Sequence, residues 1–135
     1  NRKFFFKIAK FLRKTGTTDG HSQQATFDAP SAIVCAPDGS LYVSDANSGR
    51  IRWISPGGKT VMTLPGVFPD ALGIALDATG RLYIAHTQKG QILRYDPGAL
   101  GTPYLIAGGA GQIALNKPTD IVPSSSNFNI ASEST

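Results

Sequence analysis

Residues 41–54 read LYVSDANSGRIRWI, and residues 82–95 read LYIAHTQKGQILRY. The two phrases lie 41 positions apart, and the match runs beyond both. At that offset Ile33 falls on Ile74, Gly39 on Gly80, Gly49 on Gly90, Ile51 on Ile92, Pro56 on Pro97 and Gly57 on Gly98. Turn glycines and alternating apolar positions kept in one register mark a repeated structural unit.

Each unit reads as four strands joined by tight turns. In the first, SAIVCA, LYVSD, RIRWIS and TVMTL are strand-like, separated by PDGS, ANSG and SPGGK. Spacing this short leaves no room for crossover helices, so the strands are antiparallel. Four antiparallel strands recurring about every 40 residues are the pattern of a β-propeller blade. An ordinary β-sandwich needs no internal repetition.

The pattern continues at both ends. GQIALNKPTDIV at 111–122 repeats the approach to a first strand, with Ile121 in the place of Ile33, and FNIAS at 128–132 resembles LYVSD. Arg2 and Gly16 lie 50 positions before Arg52 and Gly66, so the N-terminus reads as the last strands of a preceding blade. The expected fold is all-β, a propeller segment of half a blade, two blades and half a blade, not closed by one chain. Its units are 1–14, 15–66, 67–107 and 108–135, the last with a Ser-rich tail. Closure would take further blades from a longer chain or a second copy, as in a homodimer, because propellers typically hold about 4–8 blades.

Composition bounds the function. Apolar residues make up 41% of 135 and charged residues 16%, a globular balance. Fifteen Gly and nine Pro fit a turn-rich chain. No apolar run approaches the roughly 20 residues that span a bilayer. The single Cys35 rules out an internal disulfide. The net charge of +4 is local: six of the thirteen basic residues precede the first acid, leaving seven basic and nine acidic residues in the body. NRKFFFKIAKFLRK can also be written as a helix with Lys3, Lys7, Lys10 and Lys14 on one stripe. Two readings of residues 1–14 therefore stay open, blade strands or an amphipathic helix on a membrane surface.

The stretch ATFDAPSAIVCAPDGSLYVSDANSGRIRWISPGGKTVMTLPG at 25–66 resembles an NHL repeat, a blade of the NHL-type propeller. The resemblance covers about residues 11–122. It implies a binding or scaffold module for protein or glycan ligands, with a secreted or cell-surface habit among bacterial relatives. Gluconolactonase-type propellers and peptide-amidating lyases resemble the repeat too, which makes a metal-dependent hydrolase or lyase the alternative. The lactonases hold a divalent ion on oxygen ligands in the channel, whereas SAIVCA and LGIALD are apolar there except for Asp77. Some propellers of the family bind RNA, but here Arg50, Arg52, Arg81, Lys89 and Arg94 are scattered among acids. No nucleic-acid partner, no metal and no cofactor are expected, and no catalytic residue is assigned.

Loops on a rigid scaffold are the usual place for binding. The connection into each blade and the loop between its second and third strands share one face. There the reading places His21, Asp45, Asn47, Asp70, His86 and Gln88, with Asp28 and Asp120 beside them. Asp45 and Arg50 flank one turn, and their counterparts are His86 and Gln91, so a structural salt bridge Asp45–Arg50 is expected in the first blade. GGAGQ at 108–112 opens no helix and reads as an inter-blade loop rather than a phosphate cradle. Ser124–Ser126 have no partner base.

Overall fold

Alternation along each strand builds the architecture, because successive side chains of a strand point to opposite faces of its sheet. A computed structural model describes residues 15–96, 103–109, 118–123 and 128–132. Among them are eleven strands: β1 (Gly20–His21), β2 (Pro30–Cys35), β3 (Leu41–Asp45), β4 (Arg50–Ile54), β5 (Thr60–Thr63), β6 (Ala71–Leu76), β7 (Leu82–His86), β8 (Gln91–Tyr95), β9 (Tyr104–Ala107), β10 (Pro118–Pro123) and β11 (Phe128–Ser132). They form three antiparallel sheets, ordered β1-β5-β4-β3-β2, β6-β7-β8-β9 and β10-β11. The first two are four-stranded blades, and the first carries an added edge strand. The sheets do not close on one another. The residue 1–14 alternatives and the Ser-rich tail lie outside the described residues.

The two faces of each blade serve different neighbours. Leu41, Val43, Ile54 and Val61 of the first blade pack with Ala25 and Phe27 of the segment leading into it. Ile51, with Ala32, Val34 and Tyr42 from the other face, packs against Phe68, Ile74, Leu82, Ile84 and Tyr95. The second blade then turns Ala75, Tyr83, Ala85 and Ile92 toward Ile121 on β10. Ile51, Ile54, Ile84 and Ile92 have no exposed surface. Each such side chain contributes on the order of 1.5–3 kcal/mol of burial.

Two local devices recur with the repeat. The register shifts at Pro30/Ala32, at Ala71/Gly73 and at Pro118/Asp120, so all three first strands bulge at their entry. The residues just before the first two strands, Ala29 (φ 57°) and Asp70 (φ 56°), are left-handed without being glycine. A bulge re-aims the strand, and the left-handed residue turns the incoming connection onto it.

The lead-in differs from the expected loop. Residues 20–21 pair with the outermost strand, Gly20 opposite Val61 and His21 opposite Thr60, and the Ser22 amide donates to the Lys59 carbonyl at 2.8 Å. An outer strand otherwise presents unpaired backbone groups, and this short segment covers them.

Candidate functional site

Each blade has a loop end, where its second and third strands turn, and a turn end opposite. Asp45 stands opposite Arg50 at the loop end of the first blade, and His86 opposite Gln91 at that of the second. The connection into the second blade arrives beside them, since Ser44 donates to the Ala71 carbonyl across the blades.

Asp45 does not face solvent. Its side chain is wholly buried, accepting from the Asp28 amide at 2.7 Å and the Ser48 hydroxyl at 2.9 Å. Its ion-pair partner is Arg52, at 3.4 Å, and not the expected Arg50. Arg50 is exposed although it is the register partner of Asp45. In an extended strand residues 50 and 52 share a face, and only 52 lies beneath the lead-in. There Arg52 donates to the Thr26 carbonyl at 2.7 Å and the Thr18 carbonyl at 2.8 Å, and pairs with Asp19 at 2.8 Å. Its guanidinium stacks 4.7 Å from the Phe27 ring centroid. Asp19 also accepts from the Thr63 amide and hydroxyl. Asp45 and Arg52 thus tie the lead-in to the blade.

The second blade rebuilds this place without charge. Phe68 takes the position of Phe27, His86 that of Asp45 and Leu93 that of Arg52. Pro69 takes the position of Asp28 and has no amide to donate, so a carboxylate would lose that partner. His86 is 2% exposed and meets the Phe68 ring edge-on at 5.6 Å. Burial, aided by Lys89 and opposed by Asp70, pushes its imidazole below the ordinary histidine range.

The remaining expected residues separate into two groups. Asn47 is exposed and donates to Asp28 at 3.2 Å. Gln88 is exposed and donates to Asp70, also exposed. These four stand at the loop end. His21 does not join them: opposite Thr60, it lies beside the Ser55–Lys59 turn, at the other end of the blade from Asp45. Across the blades, His86 shares the end that carries Asp45. The described side chains contain no group of three or more His, Cys, Asp or Glu placed to hold a metal ion.

Sequence reasoning named the residues of two polar centres without seeing what they do. The buried Arg52 was read as one of the scattered basic residues, and its signal was the change at 52 and 93 that accompanies the change at 45 and 86. At the turn end of the second blade, Asp77 accepts from Thr79, from Arg81 at 2.6 Å and from the Tyr83 hydroxyl at 3.1 Å. Burial works against its charge, but hydrogen bonds from Thr79 and Arg81 outweigh it and hold the carboxyl well below the usual range. Asp77 therefore closes a turn rather than lining the channel as an open ligand.

Known proteins share this repeat. The plant protein SUPPRESSOR OF QUENCHING 1, chloroplastic, of Arabidopsis thaliana is 31% identical over 98 residues, covering 62% of this chain and 9% of that protein. Teneurin-3 of Danio rerio is 50% identical over 38 residues, 28% of this chain and 1% of its own length. Virginiamycin B lyase from Staphylococcus aureus superposes with a TM-score of 0.58 at 16% identity, over 75% of this chain and 33% of the lyase. Its catalytically inactive H270A form with Quinupristin gives 0.56 at 18% identity, over 88% of this chain and 36% of the lyase. These structures share the propeller fold. The chain spans less than a tenth of the curated relatives and about a third of the solved structures. The Teneurin NHL domain model matches residues 13–99, well over half of the sequence, and the chain belongs to that NHL-repeat family.

Proposed function

We propose that this propeller segment is part of a binding module whose protein or glycan ligand docks on the loop end. One observation carries the reading: at equivalent places, 47 and 88, consecutive blades present an exposed amide that donates to a carboxylate of the incoming connection, Asn47 to Asp28 and Gln88 to Asp70, the second carboxylate standing one position later. Repeated amides and carboxylates on a rigid sheet suit the hydroxyls of a glycan or the backbone of a peptide. Asp45 and His86 lie beneath, engaged in holding the connections. A lyase would draw on His21 and His86, and these two histidines stand at opposite ends of the blades.

The test is binding of the chain to a glycan array and to an immobilised peptide library, repeated with Asn47→Ala and Gln88→Ala together. Both residues are exposed, so the double variant keeps its fold. The proposal expects at least about a tenfold loss of affinity, as the loss of two neutral hydrogen bonds of about 1 kcal/mol each would give. Unchanged affinity in the double variant, or no ligand from either library, refutes it.

A further inference from the structure

We propose that His86 is an acid-operated release for the connection between the two blades. First, the imidazole fills the slot in which the first blade keeps a carboxylate with an ion-pair partner and hydrogen-bond donors. Asp45 has Arg52, Ser48 and the Asp28 amide around it. His86 has Leu93 and Pro69 at the corresponding places.

Second, the slot is closed. His86 is 2% exposed and packs at right angles against the ring of Phe68, itself 4% exposed. A cation there is stripped of most of its water. Third, the surrounding charges do not rescue it. Lys89 repels an imidazolium, and this outweighs the attraction of Asp70, the one acid acting on it. The register partners, Ala71 on β6 and Gln91 on β8, carry no charge.

Fourth, the segment that would move is lightly held. Residues 65–67, 69 and 70 are exposed, and Phe68 is its one buried anchor. Phe68 donates its amide to the Gly49 carbonyl at 2.6 Å and accepts from the Ala71 amide at 3.0 Å. Driving the imidazole out removes one of the surfaces on which that anchor rests. The movement delivers Asp70 and Gln88, so acid also disassembles one of the two loop-end pairs. The device stands whether or not a ligand uses those pairs.

Amide hydrogen exchange on the whole chain tests this, with rates corrected for intrinsic pH dependence. Between about pH 7.5 and about pH 5, segment 65–70 should lose at least tenfold in protection while β3 and β4 stay protected. The loss should be absent in His86→Gln. Equal loss in the variant, or loss spread evenly over both blades, overturns the proposal. Should His86→Gln fail to fold, the His86 ring proton of the native chain decides, assigned by its persistence in His21→Gln. Titration of that ring with no change at 65–70 overturns the proposal equally.

Discussion

Arg52 and Asp45 meet at 3.4 Å with neither side chain reaching solvent, and the same guanidinium holds two lead-in carbonyls and Asp19. Removing one member of a buried pair strands the other charge, at about 3–5 kcal/mol. Arg52→Leu, the residue found at this place in the second blade, should cost that much in urea unfolding. The lead-in should lose hydrogen-exchange protection first. Arg50→Ala should stay within about 0.5 kcal/mol, as an exposed substitution does. A larger effect at 50 than at 52 would restore the pairing read from the sequence.

The second blade allows the converse experiment. His86→Asp places a carboxylate where Pro69 offers no amide, at a cost of roughly 2–4 kcal/mol for an uncompensated buried charge. Pro69→Ala supplies the missing N–H in the position from which Asp28 serves Asp45. In a double-mutant cycle the two changes should couple favourably by about 1–2 kcal/mol. Additive costs would show that residue 69 does not govern the choice between His and Asp.

Much of this fold could be read from the 41-residue offset. Turn glycines and strand alternation are local, period-fixed signals, and the structure repeats them down to the bulges at Pro30, Ala71 and Pro118. The candidate site was less legible, because its contacts are set by the path of the lead-in. Nothing local in DGHSQQATF says that Gly20 and His21 form an outer strand, and His21 was therefore expected at the wrong end. Nor does adjacency across a turn decide a salt bridge. Arg50 is nearer to Asp45 in sequence, yet Arg52 faces the segment that buries both partners. The paired change at 45 and 86 was visible, and its physical partner was two residues farther along the strand.

Asp77 gives a prediction in pH. Its folded carboxyl is held below the ordinary value of 3.8. The stabilisation is therefore full above pH 3.8 and is lost as pH falls through the folded-state value. Asp77→Asn should lower stability by about 1–2 kcal/mol at neutral pH, a figure kept small because Arg81 is 40% exposed. The difference from the native chain should shrink in acid. His86 contributes in the same direction at milder pH, because its imidazole is held below 6.5. A chain carrying a neutral Gln at 86 should therefore lose less stability than the native chain as pH drops below 6.5. Parallel acid curves for native, Asp77→Asn and His86→Gln would exclude both assignments.

Gly39 and Gly108 share a backbone angle, φ 85°, and differ in what surrounds them. A Cβ on Gly39 would meet nothing within 4 Å, so Gly39→Ala isolates the left-handed cost of roughly 1–2 kcal/mol. A Cβ on Gly108 would overlap the Gly90 carbonyl and come within 3.0 Å of the Gln91 Cα. Backbone on both sides cannot step aside as a flexible side chain can. Gly108→Ala should therefore exceed Gly39→Ala by at least about 2 kcal/mol in urea unfolding, within the range of overpacking costs. It should also weaken protection where β8 and β9 meet. Gly108 opens the glycine-rich stretch at 108–112, and this close approach supplies a packing reason for its first residue, independent of any phosphate. Equal costs at the two positions would mean that the end of β9 can yield, and the reason would be lost.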